Sequence, residues 1–133
     1  MSNNGFFDNP YFTSRELKCK GEDGILQLAP GFLGELVWLR EVFNKPMIVT
    51  SCCRTPAHNM EINGNPNSLH LTVNERWNTG GTLAIDIQTL TGDYRSDLIN
   101  TARSLGWSIG HGNTFVHLDK RIQIGLPRTE FSY

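Results

Sequence analysis

Two histidines and an aspartate stand in segments whose pattern predicts strands. His70 lies in Ser68-Leu69-His70-Leu71-Thr72, Asp86 in Ala84-Ile85-Asp86-Ile87, and His117 in Phe115-Val116-His117-Leu118-Asp119. Two neutral imidazoles and a carboxylate form a ligand set for one zinc ion, with a fourth coordination position left open. A carboxylate between two isoleucines is costly to bury without a partner. It could equally face solvent from a half-exposed sheet, because alternation alone does not choose a side. A lone strand histidine is more often packed or exposed than a ligand. No HExxH-type pair fixes the three residues together, so spacing by itself leaves the metal site and the bland reading both open.

Those segments need a framework, and the whole chain bounds it. At 133 residues, with 38% hydrophobic and 19% charged residues, the chain is the size of one domain that can bury a core without staples. A single domain over 1–133 is expected, with an irregular N-terminal arm over 1–11 and a loop insertion over 73–81. Twelve basic and thirteen acidic residues give a net charge of -1, with no concentrated basic face for nucleic acid. No apolar run approaches the ~20 residues that span a bilayer, so membrane insertion is not expected. The first residues lack a basic segment followed by an apolar run; synthesis in the cytoplasm without a signal peptide is the expectation. Cys19, Cys52 and Cys53 are odd in number and two are adjacent, which argues against a disulfide framework and for buried thiols.

The positioning elements follow from local chemistry. Thr13-Ser14-Arg15-Glu16 reads as a capping box opening a short helix. A second helix is predicted over Pro30 to Phe43, with Leu33, Leu36, Val37, Leu39 and Phe43 at helical spacing. Met47-Ile48-Val49-Thr50 reads as a strand delivering Ser51 to Arg54. Thr55-Pro56 then opens a short helix reaching about Ile62. Thr82 to Thr89 alternates as a strand, with Leu83, Ile85 and Ile87 on one face and Ala84, Asp86 and Gln88 on the other. Tyr94 to Leu105 is a predicted helix stopped by Gly106. Trp107 to Ile109 and Thr114 to Leu118 are further strands around a turn over Gly110 to Asn113, and Arg121 to Leu126 is expected to add an edge strand. Helices first, then strands around one helix, predict an α+β fold with a small antiparallel sheet.

With these motifs in view, the chain resembles peptidase family M15, the zinc D-Ala-D-Ala peptidases. The likeness rests on Ser51 to Asn59, then Gly64 to His70, then Ala84-Ile85-Asp86-Ile87, and Phe115 to Asp119, with Phe12-Thr13 and Glu16-Leu17 near the start. It covers nearly the whole chain in order. It implies the hedgehog/DD-peptidase fold and a zinc ion held by His70, Asp86 and His117. A water in the fourth position would then attack a peptide carbonyl in a peptidoglycan stem peptide or cross-link. Arg54 matches the family arginine, whose fork suits a substrate carboxylate or the oxyanion of the tetrahedral intermediate; without the motif it reads as an ordinary surface ion pair. Ser68 matches a family serine that contacts substrate, or else caps a turn.

Departures from the family pattern are as informative. Fifteen residues separate His70 from Asp86, where the family has a shorter spacer. Val73 to Gly81 therefore reads as an insertion, cheap at a loop. It either carries Arg76 and Trp77 to the rim of the site or is a neutral surface excursion. Cys52-Cys53 replaces the usual Gly-Tyr. Many members place an acidic general base three residues before the last zinc histidine; here that residue is Thr114, which cannot accept the proton. His111 is the preferred substitute, against its plain reading as an exposed turn histidine. Asp119, on the strand face of His117, would orient a ligand or serve as base. The expected function is zinc-dependent peptidoglycan hydrolysis, as carboxypeptidase or endopeptidase, in the setting of a phage lytic enzyme. The alternative is a catalytically silent structural or binding module of the same fold, in a phage particle with a phage structural partner or in a cell-wall-associated assembly.

Overall fold

The computed structural model describes residues 8–89 and 91–133. Of the expected arm over 1–11, residues 1–7 lie outside them. Residues 8–11 are irregular, and the Asn9 side chain caps the turn by accepting the backbone N–H groups of Tyr11 and Phe12. Helix α1 (Ser14–Leu17) opens on the capping box of Thr13 and Glu16. Helix α2 (Phe32–Phe43) follows, ending on Asn44 in the left-handed conformation. Strand β1 (Val49–Ser51) leads to α3 (Pro56–Glu61), capped by Thr55 with Pro56 in its first turn. Strand β2 (Ala84–Gln88) and helix α4 (Gly92–Ser104) precede β3 (Ser108–His111) and β4 (Phe115–Asp119). A 3-10 turn over Arg121–Ile124 and strand β5 (Glu130–Ser132) complete the described chain.

The five strands form one sheet in the order β1-β2-β4-β3-β5. The first four pair antiparallel, as the α+β reading expects. Two details correct it. β5 joins β3 in parallel, so the sheet is mixed. Arg121 to Leu126 is not the edge strand: Arg121–Ile124 coils because Asp119 takes both the backbone N–H and the guanidinium of Arg121, which turns the chain away from the ladder.

Register assigns the two faces. Asp86 pairs with His117 and His117 with Gly110, while Ile85 pairs with Leu118 and Ile87 with Val116. Because side chains alternate across a strand, one face carries Ile85, Ile87, Val116, Leu118 and Ile109. These are fully buried with Phe32, Leu36 and Leu39 of α2, Leu98 and Ala102 of α4, and Trp107. Burying large aliphatic side chains contributes about 1.5–3 kcal/mol each, so this face holds the sheet. The opposite face is left for Asp86, His117 and Asp119. Cys19, Cys52 and Cys53 are buried free thiols.

No helix among the described residues is long and apolar enough to cross a membrane.

Candidate metal centre

Three elements deliver the donor atoms. Adjacent central strands β2 and β4 set Asp86 directly opposite His117. His70 arrives from irregular chain that borrows strand partners on both sides. Its carbonyl accepts the Arg54 N–H at 2.9 Å and the Thr82 hydroxyl at 2.8 Å, and the Leu83 N–H bonds the Leu69 carbonyl at 2.9 Å. The loop after His70 therefore closes on itself between Leu69 and Leu83, and the long spacer costs the site nothing in geometry.

His70 Nε2 lies 3.0 Å from Asp86 Oδ1, His117 Nδ1 lies 3.0 Å from the same oxygen, and the two nitrogens are 3.2 Å apart. The outer partners decide what these atoms carry. His70 Nδ1 sits 2.7 Å from the Cys52 carbonyl. A carbonyl only accepts, so Nδ1 holds the proton and Nε2 presents a lone pair. His117 Nε2 sits 2.8 Å from Asp119 Oδ2, so it donates there and leaves Nδ1 bare. With both imidazoles neutral, three electron-pair donors converge with no proton of their own between them. An added proton would satisfy one contact; a metal ion satisfies all three. The group fits a single cation, and carboxylate-backed imidazole is a common way of fixing such ligands.

The same hydrogen bonds and charges set the titration of the four groups. Burial lowers the pKa of His70 below the ordinary histidine value, outweighing Asp86. In His117 burial is overcome by the hydrogen bonds and charges of Asp119 and Asp86, and the pKa rises. Asp86 is held well below the carboxylate range: burial opposes this, but His70 and His117 prevail. Asp119, fully buried, is likewise held low despite burial, by Arg121 and His117.

Arg54 stands behind Asp86. Its guanidinium donates to Ser51 Oγ at 3.1 Å, to Asn59 Oδ1 at 3.4 Å and to Asp86 Oδ2 at 3.4 Å. A bulge in β1 between Val49 and Ser51 brings this corner beside Asp86. Ser68 Oγ accepts the His70 N–H at 3.1 Å, and Ser68 lines an open cleft of about 320 Å³ with His117 and Asp119. Trp77 of the 73–81 loop lines the same cleft, whereas Arg76 stacks on Trp77, 4.8 Å from its ring, and lines a neighbouring one.

His111 is not brought to the cluster. It pairs with Val116, not His117, so alternation turns its side chain to the helix-covered face, where Nε2 lies 3.5 Å from Glu130 Oε1. The expected base role for His111 is corrected on this ground. Asp119 is engaged by His117 and by the Arg121 backbone and guanidinium, the arrangement of a residue that orients its neighbour. Sequence reasoning passes over Phe131 of β5 and Tyr133 just after it, which face the cleft. Their signal is the alternation Phe131-Ser132-Tyr133, which puts both rings on one side of an extended segment.

The fold and site together define an α+β domain with a three-residue donor group for one metal ion on the open face of its sheet. The model of the Peptidase M15 family matches residues 10–119, and the chain belongs to that family. The matched span contains all three donors, Arg54, Ser68 and Asp119. No curated protein sequence matches the chain.

Proposed function

We propose that the protein is a zinc-dependent peptidase that hydrolyses peptide bonds of bacterial peptidoglycan. The observation that carries the reading is the convergence of His70 Nε2, Asp86 Oδ1 and His117 Nδ1, each with its lone pair turned inward. When bound, zinc supplies a Lewis acid and lowers the pKa of a coordinated water to about 7. The chain's own residues supply the rest. The Cys52 carbonyl and Asp119 fix the two imidazoles in the tautomers that ligate. Arg54 holds the outer oxygen of Asp86, and its remaining N–H groups are available to a substrate carboxylate or developing oxyanion. The Ser68 hydroxyl, already accepting from His70, keeps its own proton for a substrate acceptor.

A second reading has its own observation. Among the described residues the cleft is lined by no uncommitted carboxylate or imidazole; its titratable groups are His117, Asp119, Arg121 and Tyr133. A module that keeps the metal and the fold, serves a phage particle or a cell-wall assembly and does not catalyse would look like this. Turnover of purified peptidoglycan peptides, with and without a chelator, separates the two. Chelator-sensitive release of product is expected. No release from protein carrying a full complement of zinc would overturn the peptidase reading and favour the second.

A further inference from the structure

The family match ends at Asp119, yet one wall of the cleft comes from beyond it. The rings of Phe131 and Tyr133 lie 5.6 and 6.2 Å from the His117 ring and 5.6 Å from each other. Tyr133 also meets Phe115 at 5.2 Å. Gly110, the β3 residue paired with both His117 and Phe131, makes the room: a Cβ there would stand 2.7 Å from Phe131 ring atoms and 3.0 Å from the His117 Cβ. Leu69, Trp77 and Leu126 extend the apolar lining. The cleft volume is at the small end of ligand pockets, so it suits one side chain and its flanking backbone.

A three-residue edge strand paired on one side only is marginal by itself. Glu130 supplies the anchorage. Arg103 of α4 grips it with two N–H groups at 2.7 and 2.8 Å, Arg128 adds a third at 2.9 Å, and His111 lies 3.5 Å away. A bidentate arginine fixes orientation as well as distance. Pinning Glu130 to the helix side forces its neighbour Phe131 to the cleft side, because adjacent strand residues alternate.

We propose that β5 is a specificity element: Phe131 and Tyr133 form a subsite beside His117 for an apolar side chain of a peptide ligand, and Glu130 is the positioning residue that holds it. The inference rests on the peptide-ligand reading of the site above. Its test measures binding, with the full chain loaded with zinc and titrated by calorimetry. The probes are acetylated tripeptides varied through Gly, Ala, Leu and Phe at one position at a time.

At one position, affinity is expected to rise about 10-fold from Ala to Leu or Phe. Tyr133→Ala and Phe131→Ala should flatten that gradient to about 2-fold with zinc stoichiometry unchanged; Tyr133 is 70% exposed, so its replacement does not test folding. Glu130→Gln should flatten it too, and Glu130→Asp should restore part, which a purely structural role would not produce. A flat gradient in the unmodified protein, no measurable binding, or a gradient that survives both aromatic replacements overturns the proposal. Graded binding by protein that, loaded with zinc, leaves purified peptidoglycan peptides uncut would instead remove the peptidase reading and leave the subsite. Cleavage of those peptidoglycan peptides with no gradient among the tripeptides would do the reverse.

Discussion

His117 donates its Nε2–H to Asp119 Oδ2 across 2.8 Å, and that one bond selects the nitrogen that faces Asp86 and His70. Two residues on the same strand face thus divide the work, one placed to ligate and the other choosing the tautomer. Asp119 can do this only because Arg121 compensates its charge in a fully buried position.

Asp119→Asn is therefore expected to keep the fold and weaken metal binding. An amide can present its N–H to His117 and reverse the tautomer, and outer-shell replacements of this kind cost about 10–100-fold in affinity. Competition against a chromophoric chelator measures it. Zinc affinity unchanged in Asp119→Asn would show that the imidazole is oriented by something else.

Zinc should stabilise the protein by mass action, because the three inward lone pairs exist only in the folded chain. The gain is about 4 kcal/mol at a thousandfold excess over Kd, read as a rise in melting temperature on adding zinc and its reversal by chelator. His117→Ala should abolish the rise. A shift of equal size in that variant would mean that the ion binds elsewhere.

Acid stability should depend on Glu130. Its carboxyl is held at about 2, against an ordinary 4.5, by hydrogen bonds from Arg103 and Arg128. A depressed folded-state pKa gives stability that is present above the unfolded value and is lost as the pH falls through the folded one. The protein should lose stability between about pH 4.5 and pH 2 as the unfolded chain takes up a proton that the native chain refuses. Glu130→Gln should lose less across that window, seen in melts at stepped pH. Identical acid limbs would show that the cluster around Glu130 does not persist in solution.

The donor residues are legible in the sequence because each breaks a local pattern: Asp86 between isoleucines, His117 in an otherwise apolar run. Their meeting is not. Register is set by partners far away in the chain, and the closure of Leu69 on Leu83 that shortens the path from His70 to Asp86 is a backbone bond that no spacing reveals. His111 misleads for a related reason. Its distance along the chain from His117 is short, but a hairpin pairs it with Val116, and one residue of register moves a side chain to the other face. β5 escapes notice because three residues carry too little periodicity to distinguish a strand from an irregular tail. The helices read more easily, since the capping box at Thr13 and the Thr55-Pro56 start are local chemistry that tertiary packing has no reason to override.

The 73–81 loop ends on a glycine that the fold cannot replace, and this can be tested against a second glycine that it can. Gly81 has φ +147, and a Cβ there would lie 2.4 Å from the Leu28 carbonyl carbon and 2.6 Å from the Ala29 nitrogen. Those are backbone atoms held by the bonds from Thr82 N–H to Gln27 and from Ala29 N–H to Thr82, so they cannot swing aside as a side chain would. Gly81→Ala should cost about 3 kcal/mol from strain and overpacking together. It should also loosen zinc binding, since the same loop end carries the closure beside His70. Gly34 lies on the exposed side of α2, and a methyl group added there would meet nothing within 4 Å, so Gly34→Ala should add about 0.5–1 kcal/mol through helix propensity. Urea melts of the two variants should move in opposite directions. A Gly81→Ala midpoint no lower than that of the unmodified protein would mean that the loop is not seated on Leu28, and Trp77 would then have no fixed place beside the metal centre.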